Sequence, residues 1–161
     1  MLGSLGQNVL ITNFQEYYKL VDYLSEFTKK RMALGMGIYN LIQLFDEKYY
    51  RELSGGMLEA FGKLFHRDLK IYLYPLKNHE TNEISTTENL KVHPRVKELY
   101  KFFKGNGRLL DIKDYDPTIL DILSRKVYKM IANKEDGWEE MLPEGIPELI
   151  KQKKLFGYIK R

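Results

Sequence analysis

Leu69-Lys70-Ile71-Tyr72-Leu73-Tyr74-Pro75 is the stretch of this chain in which side chains alternate with period two, as a half-buried strand requires. Almost everywhere else apolar residues recur at steps of three and four, the spacing of one helix face, and Gly or Pro interrupts the runs. The fold class this predicts is mainly α: a compact bundle of five to seven helices with one or two short β-strands.

The first helix is expected over 14–34. Asn13 and Glu16 stand as a capping box, and Tyr17, Leu20, Val21, Leu24 and Phe27 follow on one face. Gly35 and Gly37 break it. A second helix carries Ile38, Leu41, Ile42, Phe45 and Tyr49, and a third, capped by Ser54, carries Met57, Leu58, Phe61, Leu64 and Phe65. Pro94 opens a fourth that ends at Gly105-Asn106-Gly107. Leu109 to Ile112 is a candidate second strand. Asp116-Pro117 caps a clear amphipathic helix through Ile119, Ile122, Leu123, Val127, Met130 and Ile131, and Asp136 with Glu139 is another capping-box candidate. Ile146 starts a last helix, and an apolar tail follows, Leu155-Phe156-Gly157-Tyr158. Residues 1–12 read as a flexible N-terminal segment or an appended linker, and 13–161 as a single helical domain.

The 161 residues suffice for one hydrophobic core. With 0 Cys, disulfides, thiolate metal sites and thiol nucleophiles are excluded. The net charge of +4 is uneven: residues 1–90 carry 10 basic against 11 acidic residues, and residues 91–161 carry 16 against 11. That is a mild bias, short of the dense basic stripe of a dedicated nucleic-acid binder. No apolar run is long enough to span a bilayer, and Met1 to Gln7 lacks a signal-peptide pattern, so a soluble, cytoplasmic chain is expected.

Ser54-Gly55-Gly56 is the strongest local signal for a ligand. Glycines admit close approach to the backbone, and a helix start offers unpaired N–H groups to an anion. Lys63 and Arg67 are the nearby cations. The complete phosphate-loop pattern is missing, because no Gly-Lys-Ser/Thr follows. A cap and tight turn between packed helices is the plainer reading. His66, His79 and His93 have no metal-ligand spacing, and no Gly-x-Ser-x-Gly elbow anchors a hydrolase triad. No metal, no cofactor and no catalytic residue is therefore expected. Lys151, Lys153 and Lys154, with Lys160 and Arg161, either complement a helix dipole or contact nucleic-acid phosphates. Aromatics reach 13% of the chain, which points to an aromatic core or to a face presented to a partner, with Leu155 to Tyr158 as the candidate.

Phe45-Asp46-Glu47-Lys48-Tyr49-Tyr50, Leu53 to Phe65, Leu69 to Pro75, Ser124-Arg125-Lys126-Val127, Trp138 to Pro143 and Leu155 to Tyr158 carry a resemblance. Together they resemble the carboxy-terminal region of long, little-characterised bacterial proteins. Those proteins are labelled nicotinate- or nicotinamide-nucleotide adenylyltransferase-like, or TonB-dependent receptor. The receptor label implies a transmembrane barrel, and this chain shows no succession of barrel strands. The transferase label implies a nucleotide-binding strand–helix–strand unit with a phosphate-contacting motif, and none is read here. The resemblance thus implies a detached domain, with any chemistry upstream and no catalytic residue carried over. The function expected first is a non-catalytic interaction or oligomerisation domain, bound to a protein partner or to itself. A phosphate- or nucleotide-binding or transferase domain built on the Ser54 turn comes second, and a weak nucleic-acid module third.

Overall fold

The computed structural model describes residues 3, 6–78 and 80–159, so His79, Lys160 and Arg161 lie outside the described residues. Two compact units form, and each is described by itself. One comprises the described residues of Asn13–Tyr115, the other those of Met1–Thr12 and Asp116–Arg161.

In the larger unit the order is α1 (Tyr17–Phe27), β1 (Ala33–Gly37), α2 (Ile38–Leu44), α3 (Gly56–Leu64), β2 (Lys70–Tyr74), β3 (Leu76–Lys77), β4 (Ile84–Ser85), α4 (Lys97–Gly105) and β5 (Leu109–Asp111). β1, β2 and β5 make a parallel sheet in that order, with Leu34 beside Ile71 and Ile71 beside Leu109. β3 and β4 form a small antiparallel pair. The mainly-α expectation is overturned: the unit is an α/β mix, and two parallel crossovers run through it. The absence of a strand–helix–strand unit is corrected with it, since β1, α2, α3 and β2 compose one.

β1 departs most from the sequence expectation: Gly35 and Gly37, expected to break a helix, both belong to the strand. α1 ends at Phe27, seven residues before the expected Leu34. Its buried side is Tyr18, Val21 and Ser25, and Phe27 is exposed. Neither Asn13 nor Ser54 caps a helix. Glu16 and Gly55 occupy those positions, without side-chain cap bonds.

Both crossovers step the same way across the sheet, and right-handed crossovers then lie on one face of it. The burial agrees: Met36, Ile71, Leu73 and Leu109 are buried on that face. Against them packs a group of rings. Phe61 lies edge-on to Phe45 at 5.0 Å and to Phe103 at 5.3 Å, and Phe65 stacks on Phe103 at 4.2 Å. Much of the aromatic surplus is therefore core. Tyr50 is sealed in by donating to the Leu44 carbonyl at 2.7 Å, and burial pushes its phenol well above the ordinary range.

In the smaller unit α5 (Ser124–Asn133) and α6 (Ile146–Lys153) enclose Val127, Met130, Ile131, Trp138, Ile146 and Ile150. The long helix expected from Ile119 is split. A 3₁₀ turn at Pro117–Asp121, capped by Asp116 accepting from the Thr118 N–H, precedes α5. Within the apolar tail Tyr158 packs edge-on against Trp138 at 6.0 Å, while Phe156 stays 46% exposed.

Candidate functional site

The Ser54 turn does open α3, and Gly56 takes the left-handed conformation the turn needs, φ +53. The anion at this helix start is the chain's own. The Gly55 N–H donates to Glu59 Oε2 at 2.9 Å, and Lys63 Nζ donates to Glu59 Oε1, also at 2.9 Å. A Cβ at Gly55 would lie 2.9 Å from the Glu59 Cβ, so a glycine is required for the carboxylate to close over the turn. Gly55 and Lys63 thus meet around Glu59, with Gly56 next in the turn and Ser54 exposed before it. Arg67 does not join them. It sits beyond the other end of α3, in the left-handed region at φ 55, and its Nη1 donates to the Ser25 and Thr28 carbonyls at 2.9 Å each. There it satisfies the open C-terminus of α1.

Glu59 is held below the usual carboxylate range, first by the Gly55 N–H and then by the Lys63 ammonium. A depressed folded value stabilises the fold above the pH where the unfolded carboxyl ionises, and that stabilisation disappears as pH falls through the depressed value. Glu59→Gln is therefore expected to lower the melting temperature at about pH 7 and to leave it unchanged near pH 2, flattening the acid limb of melting temperature against pH. An acid limb parallel to that of the parent chain would show that Glu59 is idle.

In open parallel sheets ligands gather outside the carboxyl ends of the strands. Here those ends present Gly37, Tyr74 and Asp111. Asp111 is fully engaged: Oδ1 accepts the Thr87 N–H at 2.8 Å and Oδ2 accepts the Thr87 hydroxyl at 2.7 Å. Tyr100 donates to the Thr87 carbonyl at 2.7 Å, and burial lifts its phenol to about 12. This triad clasps the segment after β4 to the end of β5 and occupies both oxygens of the Asp111 carboxylate. Among the described residues no group of three or more His, Cys, Asp or Glu is placed to hold a metal ion.

Exposed rings cluster at Phe14, Tyr23 and Phe27, and two further apolar surfaces lie on the sheet and on α3 with α4. Parallel sheets are ordinarily covered on both faces, yet the second face of this one is exposed at Ala33, Gly35 and Tyr72, while Gly37, Lys70, Tyr74 and Leu110 are half-buried. Ala33, Gly35 and Gly37 form a low row on β1, and Lys70, Tyr72 and Tyr74 form a ridge beside it on β2, with Tyr72 39% exposed. The outer side of α3 and α4 holds a groove of about 430 Å³ walled by Leu58, Phe61, Gly62, Phe65, Leu99 and Phe102. Leu58 and Phe102 are 69% and 60% exposed. The sheet face is not legible in the sequence because β1 is not: it becomes a strand only by pairing with β2.

Of the expected nucleic-acid lysines, Lys151 is tied to Glu139 at 2.8 Å and lies 5.5 Å from the Trp138 ring. Lys153 and Lys154 are exposed at the end of α6. No helix among the described residues is long and apolar enough to cross a membrane. No family model, no curated protein and no solved structure matches this chain.

Proposed function

We propose that the chain is a non-catalytic interaction domain that associates with further copies of itself through its half-covered sheet. The observation that carries this reading is the exposed Tyr72 beside Gly35 on the second face of a parallel sheet. The cover such a sheet takes is a helix. Two inter-strand spacings of about 4.8 Å make the face about 10 Å wide, and a helix with its side chains is about 10–12 Å across. α4 carries an exposed apolar side chain at the border of the groove, Phe102, next to Leu58 on α3. The association is accordingly head-to-tail, the sheet of one copy receiving α4 of the next.

Light scattering behind gel filtration tests it. The average mass is expected to rise with concentration between about 10 μM and 1 mM, the range of a small interface. Tyr72→Glu and Phe102→Glu should each give a monomer, because each spoils one of the two surfaces. Mixed together they should form a one-to-one pair, since each variant retains the surface the other lacks. A parent chain that stays monomeric across the range, or variants that do not pair, would overturn the reading. The Ser54 turn offers less support for a nucleotide ligand, because Glu59 already occupies its amide.

A further inference from the structure

α5 is a helix of one charge sign. Its sequence, Ser-Arg-Lys-Val-Tyr-Lys-Met-Ile-Ala-Asn, has three cations and no acid. Arg125, Lys126 and Lys129 are all exposed, and among the described residues none of them has an ion-pair partner. Arg125 and Lys126 sit in the first turn, where the helix dipole disfavours positive charge. Helix stability does not account for them. They line a concavity of about 340 Å³ together with Lys129, Met130, Asn133 and Glu135. Among the described residues that line it Glu135 is the one acid, and it accepts from Asn133 Nδ2 at 3.1 Å.

The cations adjoin a pair of exposed rings. Tyr128 is 55% exposed and meets Phe156 edge-on at 6.2 Å. Phe156 is displayed by unusual backbone: it and Lys154 both have positive φ, 56 and 50. Left-handed conformations at such residues carry a cost, so the fold holds this ring outward against a local preference. Lys153 and Lys154, both exposed, precede it in the chain by three and two residues.

Cations without partners beside unsheathed rings are what a single-stranded nucleic acid requires: phosphates pair with the charges and bases stack on the aromatics. A lipid surface would need an apolar helix face free to insert, and Val127, Met130 and Ile131 of α5 are buried in the core. We infer that the face formed by Arg125, Lys126, Lys129, Tyr128 and Phe156 binds single-stranded RNA or DNA. This rests on the smaller unit alone and is independent of the association proposed above.

Fluorescence anisotropy with labelled oligo(dT) and oligo(U) of about 12 nucleotides, on the full chain, tests it. Affinity should fall with salt, with a log–log slope of about −0.7 per phosphate contacted. The triple change Arg125→Gln, Lys126→Gln, Lys129→Gln should reduce the steepness of that slope by about 2 and weaken binding at least tenfold at about 50 mM salt. Tyr128→Ala should weaken it about tenfold while leaving the slope unchanged. A charge-matched control, Lys19→Gln, Lys48→Gln, Lys101→Gln, alters lysines already paired on the larger unit. It should stay within about twofold of the parent chain. Equal losses in the two triple variants would reduce the effect to net charge and overturn the inference. So would absence of binding at low salt, or tighter binding to a duplex or to anionic vesicles that ignores Tyr128→Ala.

Discussion

Phe61→Ala should destabilise the larger unit by about 3–5 kcal/mol, the usual cost of emptying a phenylalanine site. Phe61 is 1% exposed and touches four other rings, those of Phe45, Tyr50, Phe65 and Phe103. Those rings come from the segment after α2, from the end of α3 and from α4, so their removal from contact loosens three elements together. The groove outside α3 lets some water reach the vacated volume, which argues for the lower half of the range. The measurement is the midpoint of urea unfolding at unchanged slope, followed by far-ultraviolet circular dichroism. Phe61→Leu should recover most of the loss, because it keeps much of the volume. A shift of less than about 1 kcal/mol for the alanine variant would mean that the rings do not share one interior.

Trp138→Ala is the counterpart in the smaller unit, with an expected cost of about 3–5 kcal/mol. The indole is 3% exposed, receives the edge of Tyr158 and lies under the Lys151 ammonium. That lysine is fixed by Glu139, and the pair raises the Lys151 value above the ordinary range, chiefly through the hydrogen bond to Glu139. Removing the ring deprives α6 of its central contact and releases the tail that places Phe156. The variant should therefore also weaken oligonucleotide binding, although Trp138 itself is buried. Stability is read by circular dichroism at 222 nm, because Trp138 is the sole tryptophan and fluorescence disappears with it. Unchanged unfolding would show that the core around Val127 and Ile150 forms without it.

Why some elements could be read and others could not follows from where their stabilising partners lie. β2 was legible because Ile71 and Leu73 alternate with Lys70, Tyr72 and Tyr74, a pattern that one strand carries within itself. β1 was not, because Ala33, Leu34 and Met36 favour helices on their own, and what makes them a strand is pairing with residues 37 positions later. The end of α1 was hidden for the same reason. Lys29, Lys30 and Arg31 prolong a helical pattern, but the carbonyls of Ser25 and Thr28 are claimed by Arg67 from across the unit. At the candidate site, the turn at Ser54 is visible in the sequence and its occupant is not, because only the folded turn brings the Glu59 carboxylate back onto Gly55. The charge of α5 could be read in sequence. Its companion Phe156 is 28 residues away, and no spacing rule joins the two.

The clasp of Asp111 on Thr87 alters what the chain between β2 and β5 costs to organise. Left untethered, those 34 intervening residues would have to be gathered in one closure before β5 gained its neighbour. With Thr87 pinned, the same span becomes two shorter loops, one holding the β3–β4 pair and the other α4. The entropy of closure grows only slowly with length, so the benefit lies mainly in order of events: α4 can settle on its rings while the polar hairpin tip is still unformed. The turn that Asn78 and Thr81 hold through their side chains is thereby uncoupled from the pairing of β5.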